Sequence, residues 1–261
     1  MRNIMYVVGD GFKNFLNHSC VISISDFEEM LCLPRIGKAR NGLYIFSQGI
    51  SNAKIKKIKN LIADNNIHDI FVKEYSLTKE QHEYVHKKLS ENVMISKPLS
   101  IGSKFFVSSL MIDDACAEMS DHLTGQHVQG MVLLESARQM ILSIGENFFL
   151  SDEERFKSYF VLNSIEAQFK QFIFPIGVDL HCTINGYKKL GRGKFTAKCV
   201  IEFMQNNISC LQITIQFMAD EKIKLEKKEE KLAAFSIQLA VSKEEENLKP
   251  TVDKLYFSNR N

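Results

Sequence analysis

Residues 121 to 139 gather most of the side chains in this chain that could do chemistry. Asp121, His122 and His127 fall in a polar stretch, Gly130 follows, and then come Glu135, Arg138 and Gln139. An imidazole titrates near neutrality, so His122 or His127 can take a proton from a hydroxyl nucleophile; the spacing does not choose between them. Asp121 stands beside His122 and can hold that ring in its working tautomer. If Gly130 opens a helix, the amides of Gly130 and Met131 lack intrahelical partners. Backed by the helix dipole, they can polarise a carbonyl and hold a developing oxyanion. A residue without a side chain lets an acyl group approach that closely.

These groups need an element to hold them. From 132 to 148, Leu133, Leu134, Ala137, Met140, Ile141, Ile144 and Phe148 recur at helical spacing. A helix this apolar requires cover on most sides, which places it inside the domain. Glu135 and Arg138 share one strip of it. Burial favours the acid form of Glu135 unless Arg138 pairs with it, and buried charges are costly without a partner or a purpose. The plain alternative is a polar plug, in which His122, Glu135 and Arg138 satisfy one another. Gln139, four residues after Glu135, reads as a structural hydrogen-bonding partner.

Asp121, His122, His127, Val128, Gly130, Met131, Leu133, Glu135, Arg138 and Gln139 together resemble the motif of the A-factor biosynthesis (AfsA-type) hotdog family. Upstream, Val85-His86-Lys87 and residues 91–95 resemble that family's opening segment. Downstream, Phe169, Pro175, Gly177 and Asp179 resemble a segment of hotdog dehydratases. The resemblance spans about 84–220 and implies an α+β hotdog fold, an antiparallel sheet wrapped around a long helix.

By the same resemblance, a loop histidine and a helix acid act on an acyl thioester, and the Gly130-to-Glu135 offset matches the dehydratase pattern. It implies an acyltransferase that moves a β-ketoacyl group from acyl carrier protein or acyl-CoA to a small hydroxyl acceptor, in γ-butyrolactone-type secondary metabolism. The acyl group would ride on phosphopantetheine, with no cofactor held by the protein and no metal. Catalysis would fall to His122, Glu135, His127 and Asp121, and substrate binding to Gly130, Met131, Arg138 and Lys170. Arg192 is a further cation that could meet a phosphate, though a solvated place suits both it and Lys170. The family usually carries two hotdog halves per chain, and hotdog sites form between two units. A single half here implies a homodimer.

Dehydration or hydrolysis of the same thioester by the same pair is the first alternative. A non-catalytic acyl-binding module is the second. A third lies in His82-Glu83-Tyr84-Val85-His86, a literal H-E-x-x-H, which on a helix sets two zinc ligands on one face. No third ligand follows in a convincing context.

The totals fit an ordinary globular protein, with 261 residues, 45% apolar and 25% charged. A net charge of +2 makes no case for nucleic acid as partner. Six cysteines without a C-x-x-C pair, set among apolar neighbours, suit buried thiols in a reducing compartment. The first apolar run is too short for a signal peptide and no stretch is long enough to span a bilayer, so the expected location is cytoplasmic.

Along the chain, residues 1–80 read as a small α/β domain. Strands are expected at 4–8, 20–24, 43–47 and 69–72, with a helix opened by Asp26 and Glu29 and another over 51–63. Gly9-Asp10-Gly11 reads as a plain turn rather than a phosphate loop. The hotdog domain follows over 84–245, with strands at 105–112, 159–169, 178–188, 195–203 and 208–217. Gly191-Arg192-Gly193 and Gln205-Asn206-Asn207 suit tight turns. The charge run 221–231 reads as a solvated linker or helix face, 233–241 as an edge strand, and 246–261 as a loosely ordered tail.

Overall fold

A computed structural model describes residues 3–33, 42–74, 77–120 and 125–257; at Ser120 and over 248–257 only the backbone is described. The chain opens with β1 (Asn3–Val8), β2 (Val21–Ser23), α1 (Ile24–Cys32), β3 (Gly42–Phe46), α2 (Asn52–Asp64) and β4 (Ile70–Lys73). The four strands pair in parallel in the order β2-β1-β3-β4. Parallel neighbours need crossovers: residues 9–20, with a 3-10 turn at Phe15–Asn17, join β1 to β2, while α1 joins β2 to β3 and α2 joins β3 to β4. Ser23 caps α1 by accepting from the Asp26 amide at 3.0 Å. The cap is therefore three residues upstream of the one expected, because Ser23 Oγ already satisfies that amide. Ser51 caps α2 in the same way.

The second part contains β5 (Leu99–Ser100), β6 (Phe105–Ser109), α3 (Ala117–Ser120), α4 (Gly130–Ile144), β7 (Ser158–Phe169), β8 (Asp179–Gly191), β9 (Lys194–Gln205), β10 (Ile208–Glu221) and α5 (Lys222–Phe257). Its six strands form one antiparallel sheet in the order β5-β6-β8-β9-β10-β7. Asn206 and Asn207 both take positive φ in the β9–β10 turn, as a two-residue hairpin loop of matching twist requires.

Along β9 and β10, side chains such as Cys199, Ile201, Phe203, Ile213 and Ile215 alternate inward and pack in one core with Val132, Ala137, Met140, Ile141 and Ile144 of α4. Each such large side chain contributes about 1.5–3 kcal/mol by leaving water. The helix stops at Ile144 and widens into a π-helical turn, Gly145–Phe149. A Cβ on Gly145 would lie 2.5 Å from the Phe160 ring, so only glycine lets β7 come that close.

The two parts share packing. Val8, Phe12 and Phe15 join the core around α4. Gln48 spans the junction, donating to the Leu110 carbonyl and accepting from the Ile112 amide, each at 2.9 Å. A Cβ on Gly9 would meet the Gly49 carbonyl oxygen at 1.9 Å, so the glycine turn after β1 serves a backbone-to-backbone contact. Asp10 in that turn accepts from Ser25 and pairs with Lys54.

Four expectations need correction. Residues 233–241 form no edge strand but lie within α5, where β10 has already ended at Glu221 and lysine and glutamate flanks favour helix. The strand expected over 105–112 stops at Ser109, after which Leu110 bonds to Val178 and Met111 to Met94. Cys20 and Cys32 are exposed, whereas Cys116, Cys182, Cys199 and Cys210 are buried, and all six are free thiols. The H-E-x-x-H segment forms a 3-10 turn, His82–Val85, with His86 left-handed at φ 54°, so the two rings do not share a helical face. His82 bonds to the Lys87 carbonyl and His86 to Glu146. No described helix is long and apolar enough to cross a membrane.

Candidate functional site

The site grows from the start of α4. Gln129 precedes the helix in extended conformation and makes no side-chain cap, leaving the first amides of Gly130 and Met131 without that partner. Beside them opens a cleft of ≈ 430 Å³ lined by His127, Gly130, Leu133, Phe169 and Phe172. The His127 ring packs on Phe172 with centroids 4.8 Å apart. A Cβ at Gly130 would sit 3.3 Å from two carbons of the Phe169 ring, so the missing side chain holds this wall open.

Glu135 lies on another strip of α4, in a cluster of charges. Arg138 Nε and Nη2 donate to its two oxygens at 2.7 Å each, and Gln139 Nε2 donates at 3.1 Å. Lys87 Nζ stands 2.9 Å from Glu135 and also 2.9 Å from Glu118 in α3. Burial by itself would raise the Glu135 carboxyl. The hydrogen bonds and charge of Arg138, with Lys87 and Gln139, outweigh it and hold the group below its usual range. Glu135 is therefore a carboxylate at neutral pH, and the acid form favoured by burial alone does not arise. Glu118 is likewise held low, and the Lys87 ammonium is held high by its two carboxylates against its own burial.

Gln139 has the structural role expected of it. Its amide accepts from the Met94 N–H and donates to the Asn92 carbonyl, both at 2.8 Å, so it pins the segment before β5 to α4. Cys116 sits beside the cluster and donates to Glu118 at 3.3 Å. Burial and that carboxylate push its thiol up to about 11, which removes it as a nucleophile at neutral pH.

Of the residues singled out from sequence, Asp121 and His122 lie outside the described residues. Their neighbours are placed: α3 with Glu118 on one side, and on the other Gly125, whose carbonyl accepts from the Asn14 and Phe15 amides. Glu135 and Arg138 are brought together. No hydrogen bond joins His127 to Glu135 among the described residues; His127 belongs to the cleft and Glu135 to the charge cluster. Met131 is 69% exposed at the helix start. Lys170 borders the cleft, but its ammonium bonds to Ser209 and Gln212 on β10, and Arg192 pairs with Glu153. A second cleft, of ≈ 450 Å³ between the two parts, is lined by Phe46, Ile50, Lys79 and Met111 and contains none of these residues.

The model of the A-factor biosynthesis hotdog domain (AfsA) matches residues 73–219, more than half of the chain. The chain belongs to the AfsA hotdog family. No curated protein matches it. Among solved structures, a thioesterase from Haemophilus influenzae is 16% identical, with 56% of this chain and 95% of that one covered and a TM-score of 0.38. A conserved protein from Pseudomonas aeruginosa is 15% identical over 54% of this chain and 100% of that one, with a TM-score of 0.37. The PaaI protein from the phenylacetic acid degradation operon of E. coli is 13% identical over 46% and 80%, with a TM-score of 0.32.

The AfsA match begins before β5 and takes in the segment bearing Lys87. Reading the motif residue by residue missed Lys87 and Glu118 as members of the cluster. Lys87 stood in the segment resembling the family's opening, but neither residue has a spacing that points at Glu135. Phe169, at the end of the expected strand 159–169 and in the segment resembling hotdog dehydratases, and Phe172, just beyond β7, shape the cleft because the fold brings them against Gly130.

Proposed function

We propose that this AfsA domain transfers an acyl group, of the β-ketoacyl kind, from a phosphopantetheine thioester of acyl carrier protein or coenzyme A to a small hydroxyl acceptor. The observation that carries this reading is the glycine start of α4 at the mouth of an apolar cleft, with an imidazole in the cleft wall. The acyl chain lies against Phe169 and Phe172, with its thioester carbonyl at the amides of Gly130 and Met131. An imidazole, His127 of the cleft wall or His122, takes the proton of the acceptor hydroxyl, and the oxygen attacks the carbonyl carbon. The tetrahedral oxyanion is held by the two amides. It collapses by breaking the C–S bond, and the departing thiolate takes the proton back from the imidazole.

In this scheme Glu135 neither donates a proton nor activates water. A carboxylate saturated by Arg138, Lys87 and Gln139 is a weak base, which counts against hydrolysis through it. It anchors the charge cluster, and through Lys87 and Glu118 it fixes α3, the element that leads into Asp121 and His122. Two chains associate through β7, the terminal strand of the sheet, which exposes Leu162, Ile165 and Phe169.

The test is mass spectrometry of products from a panel of acyl thioesters, with and without dihydroxyacetone phosphate. Acyl ester formed only with the acceptor supports transfer. Free acid formed equally without it overturns transfer in favour of hydrolysis, and an enoyl product overturns it in favour of dehydration. His122→Ala and His127→Ala, compared in this assay, identify the base.

A further inference from the structure

Helix α5 leaves the sheet at Glu221, and its Lys222 amide bonds to the Lys157 carbonyl at the foot of β7. Leu225 is buried at this root, and every described residue from Glu226 to Asn247 is exposed. At 1.5 Å per residue that is about 33 Å of helix standing clear of the body. Its middle is apolar: Leu232 is 57% exposed, Phe235 58% and Leu239 56%. A helix with such a surface is expected to be covered.

We infer that α5 pairs antiparallel with α5 of a second copy of this chain. Leu232 and Leu239 lie seven residues apart, and Phe235 falls three after Leu232, the spacing of a coiled-coil seam. The charges select the partner. Before the apolar stretch, Lys222, Lys224, Lys227, Lys228 and Lys231 outnumber Glu226, Glu229 and Glu230; after it, Glu244, Glu245 and Glu246 outnumber Lys243.

A two-fold axis at Ile237 runs one helix against its copy. It sets Phe235 against Leu239 of the copy in the seam, and Lys228 against Glu246. On the flanks it sets Lys231 against Glu245 and Glu229 against Lys243. Each of these charged contacts is between opposite signs, and the symmetry makes each of them twice. A parallel pair would instead set Lys228 against Lys228 and Glu246 against Glu246 in the seam. Among the described residues, none of these six charged side chains has an ion-pair partner within its own chain. The pairing uses a surface outside the α4 cleft and does not rest on the proposed reaction.

The test compares the full chain with two variants, Lys228→Glu with Lys231→Glu, and Glu245→Lys with Glu246→Lys, by light scattering and by circular dichroism to check the fold. Either variant alone sets like charges at both ends, and its mass is expected to fall to half that of the parent. An equimolar mixture of the two restores opposite charges at both ends, so the parent mass returns and a tagged copy of one variant retains the other. All masses are read in a chain that also carries Leu162→Glu and Ile165→Glu, which breaks the contact through β7, so that α5 alone sets them. Unchanged masses, or a mixture that stays at half mass, overturn the pairing. Binding of the parent to anionic phospholipid vesicles, lost in the lysine variant with no change in mass, overturns it and assigns the helix to a lipid surface.

Discussion

Lys87 Nζ lies 2.9 Å from a carboxylate oxygen of Glu135, joining the segment before β5 to the buried helix α4. The same ammonium holds Glu118 of α3, so one cation ties three separate parts of the chain together. Their side chains are mostly covered, Glu135 at 16% exposure and Lys87 at 19%, so solvent screens the pair only in part. A double-mutant cycle with Lys87→Met and Glu135→Gln, followed by urea unfolding, is expected to return a coupling energy of about 1–2 kcal/mol. Additive effects would mean that Arg138 alone neutralises Glu135.

The charge cluster gives stability a defined dependence on acid. The folded-state value of Glu135 lies below its ordinary 4.5. In acid the unfolded chain therefore binds the extra proton first. Its contribution is complete above about pH 4.5 and is lost as pH falls through the folded value; Glu118 acts with the same sign. Glu135→Gln should flatten the fall of urea midpoints between about pH 5 and pH 3 relative to the parent. Parallel curves would contradict the assignment.

Gly130 separates activity from stability. The Phe169 ring that a new side chain would meet at 3.3 Å is 57% exposed within the single chain. Gly130→Val should therefore change stability by only about 1 kcal/mol. By narrowing the cleft at the amides of Gly130 and Met131, it should lower kcat/KM for the proposed acyl transfer by about 100-fold or more. Thermal melts alongside steady-state kinetics check this. A variant as active as the parent would remove the cleft from the mechanism.

Gln48 is expected to hold the α/β part against the sheet. Replacing it with Leu leaves the Leu110 carbonyl and the Ile112 amide without the partners found at 2.9 Å, in a fully buried place. An unsatisfied buried group costs about 1–3 kcal/mol, so the two together should lower stability by about 2–4 kcal/mol. Hydrogen exchange should show the largest gain at Ile112. Equal exchange in both proteins would mean that other contacts carry the junction.

Cysteine reactivity gives a further check. Cys116 is buried with its thiol raised to about 11, whereas Cys20 and Cys32 are exposed. Brief treatment with iodoacetamide near pH 7.5, read by peptide mass spectrometry, should label Cys20 and Cys32 well before Cys116. Early labelling of Cys116 would show that α3 opens readily.

Much of the architecture is legible in the linear order of residues, because its determinants are local or periodic. Ile4 to Val8 and Leu43 to Ser47 read as strands from their β-branched and aromatic content. The apolar recurrence from Leu133 to Ile144 reads as a buried helix, and Gly130, Glu135 and Arg138 within it point to the AfsA family. Residues 233–241 misled, since a short apolar run suits either strand or helix until the sheet is known to be complete without it. Only the folded chain decides that Lys87 and Glu118 meet Glu135, that Phe169 and Phe172 wall the cleft at Gly130, and that His127 and Glu135 face different surroundings. Those relations join residues tens of positions apart, and the packing of the sheet around α4 sets them, which no local spacing encodes.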